Sequence, residues 1–249
     1  MEQSLKGKIA VITGGSSGIG ATTVRMLAAE GATIYVGYNK GRDRAEKLIG
    51  ELPSNGHQPI HIVLEDSASM REAAKTVGTA HDHVDILVNS AGFTKPVPHG
   101  DLEAMTDDLI DALMIANVRA PFAMIRAFGP LLKASRDGTV INISSISGFT
   151  GSGSSVAYCA AKAALDTMTM SLGRALGPDI RVLCVSPGAV NTDFVAGRGP
   201  AQLEKIAQAT PLKKIVQPED VARAILACVT HLKVTTGATI VCDGGRFLN

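Results

Sequence analysis

Seven apolar runs rich in β-branched residues recur along this chain, separated by longer stretches of helical periodicity. The runs are Ile9 to Thr13, Thr33 to Tyr38, Ile60 to Leu64, Ile86 to Asn89, Thr139 to Ser144, Arg181 to Val185 and Thr239 to Cys242. Helical patterns lie near 20–30, 42–52, 68–80, 103–134, 156–176 and 218–231. Short strands that are apolar on both faces need cover on both sides, and a parallel sheet between two helix layers provides it. The pattern predicts an α/β fold with a doubly wound, seven-stranded parallel sheet. No internal repeat, low-complexity tract or linker divides the 249 residues, so a single domain over 1–249 is expected.

Composition narrows the function classes. A formal charge of +1 and the absence of tryptophan give neither a basic footprint nor a stacking platform for nucleic acid. The apolar stretch ending at Thr13 is too short for a membrane span and lacks a signal-peptide cleavage pattern, so a cytoplasmic protein with no membrane partner is expected. Cys159, Cys184, Cys228 and Cys242 are scattered without a Cys-x-x-Cys spacing, which reads as reduced packing residues. His81 and His83 flank Asp82 in a presumptive loop and read as a solvated turn, so no metal site is expected. Asn142-Ile143-Ser144 formally matches a glycosylation acceptor, but it lies in an apolar run.

Between the first strand and the first helix stands Thr13-Gly14-Gly15-Ser16-Ser17-Gly18-Ile19-Gly20. Gly14 permits a tight turn, Gly18 a close backbone approach, and Gly20 close helix packing. The helix end then offers free N–H groups and a positive dipole end to a pyrophosphate. The same residues contain Gly-x-Ser-x-Gly, the nucleophile elbow of serine hydrolases with Ser16 as nucleophile. That alternative needs strands before the elbow and a late histidine, and the chain offers only His231, in a helix.

Farther on, Ser145 precedes Tyr158-Cys159-Ala160-Ala161-Lys162 by thirteen positions. A tyrosine and a lysine four apart share a helix face, so an ammonium can stand close to a phenol. At about 4 Å and an effective dielectric near 20, the ammonium favours the phenolate by roughly 4 kcal/mol. That corresponds to about 3 units below the ordinary phenol value near 10, an upper bound because desolvation acts the other way. In the helical pattern near 103–134, Pro121 has no N–H for the carbonyl of Asn117. A kink and a freed backbone acceptor at Asn117 are therefore expected, either at a functional site or as a plain surface kink.

Glycine turn, Ser145, Tyr158 and Lys162 together resemble the short-chain dehydrogenase/reductase family, in its compact single-domain branch with a Rossmann-type fold. The resemblance runs nearly end to end. Asn89-Ser90-Ala91-Gly92 is similar to the family's turn after the fourth strand, with Ser90 in place of a second asparagine. Pro187-Gly188-Ala189-Val190-Asn191-Thr192, Gln217-Pro218-Glu219-Asp220-Val221 and Asp243-Gly244-Gly245 match later family segments. Leu183 departs from the pattern, since many relatives place asparagine there. The resemblance implies a catalytic set of Asn117, Ser145, Tyr158 and Lys162. It implies cofactor contacts from Gly14, Ser16, Ser17, Gly18, Ile19, Tyr38, Asn39, Lys40, Asp66, Asn89, Ala91, Gly92, Tyr158, Lys162, Pro187, Gly188, Val190 and Thr192. Asp66 would bind the adenine, and Asn89 would hold the turn under the adenosine ribose.

On this reading Tyr158 protonates a carbonyl oxygen while hydride arrives from the nicotinamide, or the reverse. Ser145 hydrogen-bonds the same oxygen, and Lys162 lowers the phenol's pKa and holds the nicotinamide ribose. Asn117 positions a water that resupplies protons. An acid at the end of the second strand would repel a 2′-phosphate, but here Tyr38-Asn39-Lys40-Gly41-Arg42 carries none before Asp43. Lys40 and Arg42 suit such a phosphate, so NADP(H) is favoured over NAD(H). The expected substrate is a small carbonyl compound or alcohol, with a 3-oxoacyl reductase-like or related ketone reductase activity. Its recognition is expected from 193–211 as a mobile lid, with Phe93 to Gly100 and Ile146 to Ser155. A non-catalytic dinucleotide-binding sensor is the alternative, although such proteins would be expected to lose Tyr158 or Lys162. A carrier-protein partner would need a basic patch, for which Lys133 and Arg136 are the weak candidates. The resemblance also implies a homotetramer built on the two long helices and the last strand.

Overall fold

The computed structural model describes residues 3–197 and 199–248. Arg198, inside the expected substrate segment, lies outside the described residues. The strands are β1 (Ile9–Thr13), β2 (Thr33–Tyr38), β3 (Gln58–His61), β4 (Ile86–Asn89), β5 (Gly138–Ile143), β6 (Ile180–Pro187) and β7 (Thr239–Cys242). The helices are α1 (Gly18–Ala29), α2 (Arg42–Gly50), α3 (Ser67–Ala80), α4 (Asp107–Met114), α5 (Ala120–Ala134), α6 (Ser147–Thr150), α7 (Val156–Ala175), α8 (Pro200–Ala209) and α9 (Pro218–Thr230). None of the described helices is long and apolar enough to cross a membrane.

All seven strands are parallel, in the order β3-β2-β1-β4-β5-β6-β7. The order reverses direction at β1 and β4, which opens a crevice beyond the carboxyl ends of these strands, the place where such sheets bind ligands. Two apolar layers cover the sheet. One packs Ile12, Val36, Val88, Ile141 and Val185 against Val24 and Leu27 of α1 and Ile225 of α9. The other packs Val11, Leu87, Val140 and Val182 against Met70 of α3 and Phe128 and Leu132 of α5. Leu183 is fully buried in the first layer, so the position at which many relatives carry asparagine is here an apolar contact.

Three expectations shift. The third strand begins at Gln58 rather than Ile60, because Pro59 sits in an edge strand, where a missing N–H is tolerated. The helix expected from 103 begins at Asp107, where the Thr106 hydroxyl accepts the Leu109 N–H. Pro121 is accommodated by a π-turn at Ile115–Arg119, in which the Ala120 N–H reaches the Ile115 carbonyl, rather than by a simple kink. The proline then stands in the first turn of α5, where it lacks nothing the helix needs.

At the closed end of the sheet the Asp85 carboxylate, almost fully buried, ties three elements together. It accepts the Ile9 N–H at 2.8 Å, the Lys8 ammonium at 2.9 Å and the Ser135 hydroxyl at 2.7 Å. Burial pushes this carboxyl up, but the hydrogen bonds from Ile9, Lys8 and Ser135 and the Lys8 charge bring it to a net value below the ordinary 3.8. Asp85→Ala is expected to cost about 2–4 kcal/mol in urea denaturation, because it leaves a buried N–H and a half-exposed ammonium without their acceptor. A lowered folded pKa means that this contribution is present above about pH 4 and is lost as pH falls through the folded value. The gap between wild type and Asp85→Ala should therefore close in acid.

Candidate active site

The glycine turn places its backbone for an anion. Gly14 and Gly18 adopt φ of +63° and +50°, in the left-handed region where side chains are strained. A Cβ on Gly20 would overlap the Gly14 carbonyl, so only glycine lets α1 begin this close to the turn. Ser17 makes no side-chain cap, and the first turn of α1 contains no acid. The first N–H groups of α1 are thus left for a ligand, and the helix dipole favours a negative one. A pyrophosphate fits this cradle.

Above it opens a cleft of about 1840 Å³, larger than a small substrate alone requires. From the glycine turn Gly14, Ser17, Gly18 and Ile19 line it, and Tyr38 and Asn39 do so from the end of β2. Ala91 and Gly92 follow β4, while Pro187, Gly188, Val190 and Thr192 follow β6. Ser16, Lys40, Asp66 and Asn89 stand outside this lining. Asp66 is the N-cap of α3, its carboxylate accepting the Ala68 N–H at 2.7 Å, and the adjacent cleft wall is Leu64 and Glu65.

Asn89 belongs to a polar row that crosses the sheet. Register aligns Thr13 with Asn89, Asn89 with Asn142, and Asn142 with Cys184. The Thr13 hydroxyl accepts the Ser90 and Ala91 N–H groups, which fixes the turn after β4. The Asn89 amide donates to Asn142 Oδ1 at 2.9 Å, and the Asn142 amide to the Thr169 hydroxyl at 2.9 Å. Thr169 meets the Cys184 sulfur at 3.1 Å. This buried chain locks α7 onto the sheet in one register.

That register presents the reactive face of α7 to the cleft. The Ser155 hydroxyl caps the helix by accepting the Tyr158 N–H, and Tyr158 and Lys162 follow one turn apart. Lys162 Nζ stands 5.5 Å from the Tyr158 ring centroid and donates to the Ile143 carbonyl at 2.8 Å. Burial drives the Lys162 ammonium down to about 8, opposed by Cys184 and Asp166. Ser145 follows β5, its hydroxyl donating to Ser147 Oγ and accepting the Ser147 N–H. Phe93 and Leu113 pack against Tyr158 on one side, and the Phe194 ring lies 6.1 Å away.

Asn117 sits in the π-turn beneath this floor rather than on the cleft wall. Its amide donates to the carbonyls of Phe93 at 3.0 Å and Leu113 at 2.9 Å. Its Oδ1 is buried without a hydrogen-bond partner, and a Cβ on Gly92 would press on it at 2.7 Å. Asn117 therefore joins α4 to the turn after β4.

Several contributors escaped the sequence reading. The segment expected to select substrate contains α8, whose Gln202, Lys205 and Ile206 line the cleft. Gly199 and Pro200 read as loop residues, yet proline at the first helical position followed by Ala-Gln-Leu-Glu-Lys is a helix start. Arg246 and Phe247 close the cleft from the chain's far end, Phe247 standing edge-on to Phe149 at 5.3 Å. Near the end of β2, Arg42 pairs with Glu46 at 2.8 Å. It is instead the Arg44 guanidinium that lies over Gly41, where a Cβ would overlap it and would stand 3.1 Å from Ser16 Oγ. The hydrolase alternative finds no partner for Ser16, because His231 ends α9 with its ring on the Thr230 hydroxyl.

Comparison with known proteins agrees with this arrangement. Residues 14–246 match a family model described as enoyl-(acyl carrier protein) reductase. A candidate ketoacyl reductase of granaticin polyketide synthase from Streptomyces violaceoruber is 36% identical, over 96% of each chain. The 3-oxoacyl-(acyl-carrier-protein) reductase FabG of Thermotoga maritima is 31% identical, over 97% of this chain and 98% of the other. The crystal structure of a dehydrogenase/reductase from Sinorhizobium meliloti superposes with a TM-score of 0.87 at 34% identity, covering 98% and 97% of the two chains. By glycine cradle, sheet order, reactive helix face and end-to-end likeness, this chain belongs to the short-chain dehydrogenase/reductase family, in its compact single-domain branch, and is an NAD(P)(H)-dependent oxidoreductase.

Proposed function

We propose that the chain prefers NADP(H) and interconverts a ketone and its secondary alcohol, with a 3-oxoacyl compound or a related ketone as substrate. The observation that carries this reading is the convergence of Ser145, Tyr158 and Lys162 on one cleft that begins at an uncapped helix end. Relatives named for 3-oxoacyl and ketoacyl reduction support the substrate class. When bound, the cofactor supplies or accepts hydride at its nicotinamide ring. Tyr158 gives its phenolic proton to the carbonyl oxygen as the carbonyl carbon becomes tetrahedral, and takes it back in the oxidising direction. Ser145 donates to the same oxygen and holds the carbonyl in line. Lys162 stabilises the phenolate left behind. Asn117 acts from below, by holding the turn at Phe93 that backs Tyr158.

Cofactor choice follows from the end of β2. Asn39 leaves the ribose side of the cleft without an acid, and Arg44 and Lys40 stand beside it. Arg44 suits a 2′-phosphate better than Arg42, whose guanidinium is already paired. Assembly as a homotetramer through α5, α7 and β7 belongs to the same proposal, supported by exposed Phe122, Met170 and Val241 on those elements. Docking of a carrier protein gains little support, since Lys133 faces Asp179 at 3.6 Å.

Tyr158→Phe is expected to lower turnover of a ketone panel by about 10²–10⁴-fold while NADPH binding, read by calorimetry, stays within about threefold. Retained turnover rejects the role given to Tyr158. Arg44→Ala should weaken NADPH binding by about tenfold or more and leave NADH unchanged, with Arg42→Ala nearly silent for both. Equal losses for the two cofactors in Arg44→Ala would contradict the proposed phosphate contact.

A further inference from the structure

A lysine as buried as Lys162 poses a problem that its single neutral acceptor does not solve. Its side chain is 5% exposed and its described hydrogen bond goes to the Ile143 carbonyl. Removal from water favours the neutral amine, whereas stabilising a phenolate needs the ammonium. Two groups lie where a negative charge would favour the ammonium, Cys184 on β6 and Asp166 on α7. Burial pushes the Cys184 thiol so far up that it stays neutral at physiological pH. Asp166 remains.

Tyr158, Lys162 and Asp166 are spaced four apart, so they stand on one face of α7 in successive turns. Asp166 points beneath α6, where a Cβ on Gly148 would press on its Oδ2 at 2.9 Å. Its Oδ1 is buried and has no hydrogen-bond partner. Burial pushes the Asp166 carboxyl above its ordinary value, opposed by Ser144 of the segment after β5, Cys184 of β6 and Lys162, which favour the ionised form. Here α6 contributes Gly148, and its four residues carry no charge. An orphaned carboxylate oxygen is destabilising where an apolar side chain would fit, so a charge kept there needs another account.

We propose that Asp166 is a positioning residue for the reaction, a half-buried counter-charge that holds Lys162 in its ammonium form and so keeps it able to act on Tyr158. The proposal rests on the catalytic reading above for its consequence, but its core claim concerns Lys162 alone. Without Asp166 nothing negative faces the amine at neutral pH, and Lys162 loses its proton at a lower pH. Tyr158 then faces an uncharged amine.

The test is the titration of Lys162 by NMR in apoprotein carrying ¹³C at the lysine ε-carbons, with the signal assigned through Lys162→Met. Asp166→Asn keeps the shape and removes the charge, and should lower the Lys162 midpoint by at least about one pH unit. Asp166→Ser, also uncharged, replaces it if the asparagine variant does not fold. Asp166→Glu should restore the wild-type midpoint. NADPH-dependent ketone reduction supplies the second readout. Asp166→Asn should lose about fivefold or more in kcat at pH 8 and recover most of it at pH 6, whereas a purely structural role lowers both alike. An unchanged Lys162 midpoint in the uncharged variants overturns the proposal, whatever the turnover. A lowered midpoint in the uncharged variants, alongside a wild-type protein that reduces no ketone, sustains it and rejects the catalytic reading instead.

Discussion

Burying an ammonium is costly, and the way this chain houses Lys162 organises much of what surrounds it. The amine sits 5% exposed, one turn from Tyr158, with the last carbonyl of β5 as acceptor. That carbonyl is within reach only because α7 lies on the sheet in a single register. The register is set in turn by the polar chain from Asn89 through Asn142 and Thr169 to Cys184. A connected buried network of this kind specifies one arrangement better than apolar packing does, even though Asn89 Oδ1 is left without a partner. Shift α7 by one residue and the amine, the phenol and the serine part company.

The same row links the two halves of the cleft. Thr13 ends β1 at the glycine turn, and its hydroxyl holds Ser90 and Ala91 after β4. The phosphate cradle and the reactive helix are therefore placed by neighbouring side chains of one line across the sheet. Glycines supply what side chains cannot. Gly20 lets α1 start against Gly14, and Gly148 leaves room for Asp166. Opposite them, α8 and the chain's far end form the remaining wall, with Phe194 and Phe247 facing the reactive region. The cleft is thus lined by glycine and serine at the turn after β1 and by an aromatic ring, Phe194, beside Tyr158.

Much of this was legible in the residue order. Strands apolar on both faces announced a covered parallel sheet, and the four-residue spacing of Tyr158 and Lys162 announced a shared helix face. Pro121 marked a real irregularity, although the chain absorbs it as a π-turn. What escaped depended on tertiary context. Arg42 and Arg44 are equivalent in sequence, and only the Glu46 pairing of one separates them. Asp166 reads as an ordinary exposed helical acid until α6 folds over it. Asp66 matched a family position, and the structure adds that its Oδ1 caps α3. The β3 shift reflects Pro59, which an edge strand admits because one of its sides needs no donor.

All of this assigns one consequence to the placement of Lys162, an acidic phenol at Tyr158, and the chain permits a direct reading of it. Only Tyr35, Tyr38 and Tyr158 are present, so ¹³C labelling of the tyrosine ζ-carbons gives three signals to follow with pH. With oxidised cofactor bound, the Tyr158 signal should titrate well below the ordinary value near 10, and should move back up in Lys162→Met. A Tyr158 that titrates near 10 in both proteins would contradict the account.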